Sequence, residues 1–133
     1  MGKRILFAEE DAGFRRVFTH AMREALATER LDVAFVEAGS VAEARTRLRE
    51  GSLDAALIDI TLPDGNVIDL VGEINDGRAG SRIPTLVLTA KLDPSVVVRA
   101  VEAGASGALS KVLSVPESVD AIKSLTDAGL SEV

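Results

Sequence analysis

The chain has 133 residues, no cysteine, one histidine and a formal net charge of −6. Its length suits a single domain spanning residues 1–133, and the lack of cysteine excludes thiolate metal sites and cysteine nucleophiles. The acidic charge argues against direct binding to nucleic acid or an anionic membrane, since both need a basic surface. The sequence has no stretch typical of a signal peptide or a membrane span. We therefore expect a soluble, cytoplasmic protein whose partners are proteins or small ligands.

Five short apolar runs alternate along the chain with five stretches of helical spacing. The predicted strands are Lys3 to Ala8, Leu31 to Glu37, Asp54 to Ile58, Ile83 to Leu88 and Ser106 to Leu109. They are apolar nearly throughout, which is typical of strands that are covered on both faces. This pattern predicts an α/β domain with a doubly wound, five-stranded parallel sheet.

Capping residues and apolar spacing mark the helices between these strands. Predicted N-caps are Asp11, Ser40, Asp93 and Ser114, and predicted C-terminal glycines are Gly51, Gly77 and Gly104. In the first helix we expect a buried face formed by Phe14, Val17, Phe18, Ala21, Met22 and Ala25. In the fourth, the apolar face is formed by Val97, Val98 and Val101.

Polar side chains stand at the ends of four of the predicted strands. The acidic residues Glu9, Glu10 and Asp11 follow the first strand, Asp59 follows the apolar run of the third, Thr89 that of the fourth and Lys111 that of the fifth. Ligands of doubly wound sheets bind outside the carboxyl ends of the strands. We therefore expect these side chains to converge on one crevice.

The residue types in this crevice predict phosphoryl transfer. Carboxylates packed together repel one another, and a divalent cation such as Mg²⁺ relieves the repulsion through carboxylate, carbonyl and water oxygens. Lys111 adds a charge suited to phosphate, and Thr89 adds a hydroxyl donor. Asp59 is then the central nucleophile. Each residue alone has an ordinary structural explanation, so only the joint placement is specific.

This constellation resembles the receiver domain of two-component response regulators, over the entire chain. Further matches are the segment Leu62-Pro63-Asp64-Gly65 after Asp59 and the segment Ala103-Gly104-Ala105-Ser106-Gly107 before the fifth strand. The resemblance implies the flavodoxin-like receiver fold with strand order 2-1-3-4-5. It also implies a signalling domain rather than an enzyme, whose only catalysis is its own phosphorylation and dephosphorylation.

The resemblance implies a role for each site residue. Asp59 accepts a phosphoryl group from a sensor histidine kinase or phosphotransfer protein, and Lys111 and Thr89 hold the phosphoryl oxygens. Mg²⁺ is held by Glu10, Asp59 and the backbone carbonyl of Thr61. The signal leaves through the face of the fourth helix, fifth strand and fifth helix, toward an effector protein, a fused output domain or a second copy of the chain.

The sequence departs from the family pattern at three positions. Glu10 stands where Asp is usual and is one methylene longer, which strains an octahedral Mg²⁺ site and makes Glu9 and Asp11 alternative ligands. Ala108 replaces the Tyr or Phe that usually rotates during switching. Val112 follows Lys111, where a proline is typical.

Two other functions are compatible with parts of the pattern. A receiver-like module that binds partners without phosphorylation would be consistent with Glu10 and Ala108. A phosphatase of the haloacid dehalogenase type also uses an Asp nucleophile and Mg²⁺, but it expects a second Asp two residues later, where this chain has Thr61.

Overall fold

The computed structural model describes residues 2–112 and 114–130. Strands and helices alternate through this part of the chain. The strands are β1 (Lys3–Ala8), β2 (Val33–Ala38), β3 (Ala55–Asp59), β4 (Thr85–Thr89) and β5 (Gly107–Ser110). The helices are α1 (Ala12–Thr28), α2 (Val41–Glu50), α3 (Val67–Asp76), α4 (Pro94–Ala103) and α5 (Val115–Leu130).

The five strands form one parallel sheet in the order β2-β1-β3-β4-β5. This confirms the predicted doubly wound fold and its strand order. The order reverses at β1, which lies between β2 and β3, so the site expected at the switch point lies beside the carboxyl end of β1. In the β1–β3 register, Ala8 lies opposite Ile58, which brings the residues after them to one level.

Two hydrophobic clusters cover the two faces of the sheet. One joins α1 and α5 to strand residues such as Phe7, Leu57 and Leu109. The other joins α2, α3 and α4 to the alternate strand residues, including Ile58 and Val87. Side chains alternate between the two faces of a strand. A polar residue at the end of a strand therefore lies on the same face as the buried residue two positions before it.

The predicted caps account for the helix ends. The Asp11 side chain accepts a hydrogen bond from the Phe14 amide, and Ser40 and Asp93 cap α2 and α4 in the same way. Gly104 ends α4 with a φ of 117°, and a Cβ at this position would lie 2.3 Å from the Asn75 side chain. Glycine is therefore required there for both conformation and space.

A further cap comes from outside its helix. The Asp64 carboxylate accepts hydrogen bonds from the amides of Val41 (2.7 Å) and Ala42 (3.0 Å) at the start of α2. These bonds lower the pKa of Asp64. The loop after β3 is thus fastened to the neighbouring helix, and a Cβ at Gly65 would lie only 3.3 Å from Val41.

Two of the predicted apolar faces were partly wrong. Val17 is 71% exposed, because the buried line of α1 runs through Thr19, Met22 and Leu26. In α4 the only fully buried residue is Ala100, so Val98 and Val101 remain about half exposed. An exposed apolar side chain does not contribute to the core, and each of these residues lies on an outer surface of the domain.

Strand limits differ from the predicted ones by one or two residues at most ends. The prediction started β2 at Leu31, but the Leu31 amide donates to Leu26 O at 2.9 Å and so belongs to the C-terminal turn of α1. β4 begins at Thr85, just after Pro84, which has no amide to donate.

Within the described residues, no helix combines the length and apolarity that a membrane crossing needs.

Candidate functional site

The centre of the site is formed where β1 and β3 end side by side. Asp59 is the last residue of β3, and Glu9 follows β1 directly. Both continue the face of the sheet that carries Phe7 and Leu57. The two carboxyl groups are almost completely buried, with Glu9 2% exposed and Asp59 3% exposed.

Lys111 bridges these two carboxyl groups. It lies one residue beyond β5, where its amide continues the ladder by donating to Thr89 O. Its ammonium Nζ lies 2.8 Å from Glu9 Oε1 and 2.9 Å from Asp59 Oδ2. Nζ also lies 4.4 Å from the centroid of the Phe14 ring, within the range of a cation–π interaction. A charged lysine thus compensates the buried acidic pair.

Thr61 holds the other oxygen of Asp59. The Thr61 amide donates to Asp59 Oδ1 at 2.8 Å, and the Thr61 hydroxyl donates to the same oxygen at 2.6 Å. This is the local turn that an Asp side chain makes with the backbone two residues on. The Asp59 carboxylate is therefore fixed at both oxygens.

The two buried carboxyl groups have very different pKa values. Burial and the nearby Asp59 raise the pKa of Glu9 to about 7. Burial alone would also raise the pKa of Asp59, but Glu9, Lys111 and Thr61 outweigh it and lower that pKa to about 2. Burial opposes the charge of Lys111, whereas the two carboxylates raise its pKa. Asp59 is therefore the ionised member of the pair near neutral pH.

An open cleft of about 500 Å³ lies above these groups. Its lining is Glu9, Glu10, Asp11, Asp59, Thr61 and Lys111, so all the predicted acidic candidates are brought together. Glu10 and Asp11 are exposed at the rim, and Glu9 forms part of the buried floor. The sequence-based prediction favoured Glu10 and named Glu9 only as an alternative, although Glu9 makes the contact with Lys111.

The acidic groups of the cleft offer oxygen ligands to a divalent cation. Glu9 Oε2 is buried and has no hydrogen-bond partner among the described residues. Within the same residues, no group of three or more His, Cys, Asp and Glu side chains is arranged to hold a metal. Mg²⁺ usually takes only one or two carboxylates and completes its shell with other oxygens. The carboxylates and the unpartnered oxygen fit such an ion.

Thr89 lies at the same edge of the sheet, next to Leu88, which pairs with Asp59. Its hydroxyl donates to Lys91 O at 2.8 Å, and the described lining of the cleft does not include it. The alternation along β4 explains this, since Thr89 shares its side of the strand with Val87, on the α2–α4 face. Asp59 continues the opposite face. The Lys111 side chain therefore reaches Asp59, whereas the Thr89 hydroxyl is bonded within its own loop, and its role at the site stays a prediction.

Arg15 is a site residue that the sequence reasoning missed. Its guanidinium donates to the backbone carbonyl oxygens of Glu9 and Glu10 and to the Glu37 side chain on β2. Phe14 was recognised only as part of a buried helical face, and its contact with Lys111 was missed. No spacing rule signals either contact, because each joins groups that are brought together by the fold.

Comparisons with known proteins identify the family of the chain. A family model described as the response regulator receiver domain matches residues 5–123. The chain belongs to this family. The DNA-binding response regulator MtrA of Mycobacterium tuberculosis is 33% identical over 92% of the chain and 50% of its own length. The receiver chain thus spans about half the length of such curated relatives.

Solved structures of response regulators share the receiver fold. A two-component response regulator of the LuxR family from Aurantimonas is 26% identical, with a TM-score of 0.79 over 96% of this chain and 87% of that one. A response regulator from Burkholderia pseudomallei matches 98% of this chain and 69% of its own with 22% identity and a TM-score of 0.70. The latter structure contains a phosphorylated aspartic acid, a calcium ion and citrate.

Proposed function

We propose that this receiver domain accepts a phosphoryl group on Asp59 from a phosphohistidine of a sensor histidine kinase or phosphotransfer protein. The observation that carries the proposal is the state of Asp59: a buried carboxylate with a pKa of about 2, fixed by Lys111 and Thr61 at the floor of an open cleft. An ionised carboxylate with a matched cation beside it is a suitable phosphoryl acceptor.

The reaction is a displacement at phosphorus. A carboxylate oxygen of Asp59 attacks the phosphorus, and the P–N bond of the phosphohistidine breaks. The imidazole nitrogen leaves with the bonding electrons and takes a proton from solvent. Lys111 stays close to the acceptor oxygen and stabilises the negative charge on the phosphoryl oxygens. Later attack by water breaks the new bond to phosphorus, which releases inorganic phosphate and restores the carboxylate.

Mg²⁺ is the proposed cofactor. Glu10, Asp59 and the backbone carbonyl of Thr61 would hold it, with Glu9 or Asp11 as the alternative acidic ligand. When bound, the ion would neutralise charge on the carboxylates and on the incoming phosphate. The unpartnered Glu9 Oε2 supports a cation at this place. The Burkholderia regulator of the same fold contains both a calcium ion and a phosphorylated aspartic acid.

An apolar rim beside the cleft supports a protein as the phosphoryl donor. Val17 on α1 and Val112 after β5 are 71% and 81% exposed, and Val115 is about half exposed. Val17, Val115 and Lys111 line one cavity between α1 and α5. A donor that packs on these side chains would bring its phosphohistidine to the mouth of the Asp59 cleft.

A second surface is proposed for the output. It is the face of α4, β5 and α5, which would pack against an effector, a fused output domain or a second copy of the chain. Helix α4 carries the half-exposed apolar side chains Val98 and Val101, which are available for such a contact. MtrA is a DNA-binding regulator, so this receiver would control such an activity through a partner or fused domain rather than by binding DNA itself. We place the protein in the cytoplasm, where kinases of this type phosphorylate their regulators.

Phosphorylation by a small donor tests the proposal. The protein is incubated with acetyl phosphate and Mg²⁺, and its intact mass is measured. We expect one added phosphoryl group in the wild-type protein and none in Asp59→Asn. The control Asp64→Asn keeps Asp59 and removes an exposed carboxylate of the same loop. Equal labelling of wild type and Asp59→Asn, or no labelling of either, would contradict the proposal.

A further inference from the structure

Arg15 links the acidic loop to the neighbouring strand. Its Nη1 donates to the carbonyl oxygen of Glu9 and, at 3.2 Å, to that of Glu10. Its Nε donates to Glu37 Oε1 at 3.0 Å. The Arg15 side chain is only 18% exposed, although it carries a full charge at the end of the sheet. One guanidinium therefore holds two consecutive peptide groups and is itself held by an acidic side chain.

The space for this guanidinium depends on Gly39. A Cβ at Gly39 would lie 3.3 Å from Arg15 Nη1 and 3.3 Å from Glu43 Oε1, which is closer than ordinary van der Waals contact. The Gly39 amide in turn donates to Glu43 Oε1 at 3.2 Å. The backbone after β2 thus packs closely against the Arg15 guanidinium and leaves no room for a larger side chain at position 39.

We propose that Arg15 is a positioning residue for the divalent cation. By fixing the carbonyl groups of Glu9 and Glu10, it fixes the two peptide planes that flank Glu10 and so the directions in which the glutamate side chains leave the backbone. Arg15 does not touch the ion and acts through the two glutamates. This inference rests on the proposed metal site and deepens it, because it names the residue that sets the geometry of the acidic ligands.

The sign of the effect separates positioning from simple electrostatics. Arg15 is a cation, so its charge opposes the binding of a second cation nearby. If charge were its only influence, its removal would strengthen Mg²⁺ binding. If Arg15 positions the glutamates, its removal weakens Mg²⁺ binding despite the gain in electrostatic attraction. The two explanations therefore predict opposite results from the same variant.

A comparison of two metals adds a readout that loss of stability alone would not change. Mg²⁺ demands near-ideal octahedral geometry, whereas Ca²⁺ accepts variable geometry and longer bonds. A looser acidic loop should therefore penalise Mg²⁺ more than Ca²⁺. A general loss of folded protein would lower the apparent affinity for both ions by the same factor.

The experiment titrates Mg²⁺ and Ca²⁺ into the unphosphorylated protein and follows amide NMR shifts. The variants are Arg15→Met, Arg15→Lys and the control Arg16→Met, which removes the same charge from an exposed neighbour on α1. We expect Arg15→Met to weaken Mg²⁺ binding about tenfold, as is typical when an outer-shell partner of a metal ligand is removed. Its Ca²⁺ affinity should fall less, and Arg16→Met should bind Mg²⁺ at least as tightly as the wild type.

Arg15→Lys keeps the charge and loses the planar fork that reaches two acceptors. It should weaken Mg²⁺ binding in the same direction as Arg15→Met, and it decides the question if Arg15→Met does not fold. Unchanged or tighter Mg²⁺ binding in the folded Arg15 variants would overturn the role of Arg15 and leave the metal site standing. A wild-type protein that binds no Mg²⁺ would overturn the metal site itself and this inference with it.

Discussion

The Lys111 ammonium lies 2.9 Å from the Asp59 carboxylate, although 52 positions separate the two residues in the chain. The contact joins the end of β5 to the end of β3 across β4, which lies between them. It depends on the complete sheet, so this environment of Asp59 exists only in the folded domain. The same ammonium also compensates Glu9, which makes the lysine the only cation of the buried cluster within the described residues.

Removal of Lys111 should destabilise the domain. Lys111→Met leaves Glu9 and Asp59 together without their cation, and breaking a buried ion pair costs about 3 kcal/mol. The loss in the free energy of unfolding should be largest near pH 8 and smaller near pH 5.5, because one carboxyl group then takes up a proton. Urea denaturation at the two pH values measures this. Lys91→Met, a change at an exposed lysine, is the control, and an equal effect of both substitutions would refute the bridging role.

Glu9 should make the stability fall as the pH rises through neutrality. Its pKa is raised from 4.5 to about 7 in the folded protein, so the native state binds the proton more tightly than the unfolded chain. The favourable contribution is full below pH 4.5 and is lost as the pH passes 7, at a cost of roughly 3 kcal/mol. The lowered pKa of Asp59 acts in the opposite sense, but only below about pH 4.

The variant Glu9→Gln tests this contribution. It cannot titrate, so the decline in the free energy of unfolding between about pH 5.5 and pH 8 should be smaller than in the wild type. Glu10→Gln, at the exposed rim, should keep the wild-type decline. Identical pH profiles for Glu9→Gln and the wild type would show that Glu9 does not carry the raised pKa.

The sequence allowed the fold and the central pair of the site to be predicted. Asp59 and Lys111 could be placed together because both follow apolar runs, and the carboxyl ends of parallel strands meet at one edge. Glu9, and not Glu10, makes the contact with Lys111, while the choice between them as a metal ligand stays a prediction. Alternation from the buried Phe7 would have placed Glu9 on the side of Asp59, and this signal was present in the sequence.

The orientation of the Thr89 hydroxyl and the exposure of some apolar helix residues could not be predicted from local sequence patterns. The hydroxyl of Thr89 turns to Lys91 because it lies on the opposite face of β4 from the Asp59 side, and the register needed to see this comes from the folded sheet. Val17 and Val98 follow helical spacing, yet they are exposed. The apolar pattern states which residues can be buried, and the packing of neighbouring helices decides which of them are.

Shortening Glu10 should strengthen metal binding. Glu10→Asp removes one methylene from the proposed ligand at the rim and restores the side-chain length that suits octahedral Mg²⁺. We expect a lower dissociation constant for Mg²⁺ than in the wild type, measured by calorimetry on the unphosphorylated protein. Glu24→Asp, at an exposed position of α1, is a matched change away from the cleft. Equal Mg²⁺ affinities of wild type and Glu10→Asp would exclude Glu10 as a direct ligand and favour Glu9.

Phosphorylation should act on the loop after β4. Thr89 is tied to Lys91 through its hydroxyl, and Ala108 supplies no aromatic ring that could move with it. A phosphoryl group on Asp59 would draw the Thr89 hydroxyl toward it, and the backbone must move because the side chain starts on the other face. We expect amide exchange to change in residues 90–101 while β5 stays nearly the same.

Amide hydrogen exchange with and without beryllofluoride, a mimic of the phosphoryl group, measures this response. Asp59→Asn treated with beryllofluoride is the control and should show no change. If β5 changes as much as residues 90–101, or if neither segment responds in the wild type, the loop mechanism is wrong.

The assignment of Asp59 as the phosphoryl acceptor is tested most directly by locating the phosphoryl group chemically. Borohydride reduces an acyl phosphate to an alcohol, so a phosphorylated aspartate becomes homoserine, which tandem mass spectrometry assigns to one position. After treatment with acetyl phosphate and Mg²⁺, we expect homoserine at residue 59 alone. In Lys111→Met the amount of homoserine at residue 59 should fall sharply or to zero. Homoserine at Asp11 or Asp64 instead of Asp59, or at no position, would contradict the assignment of Asp59 as the phosphoryl acceptor.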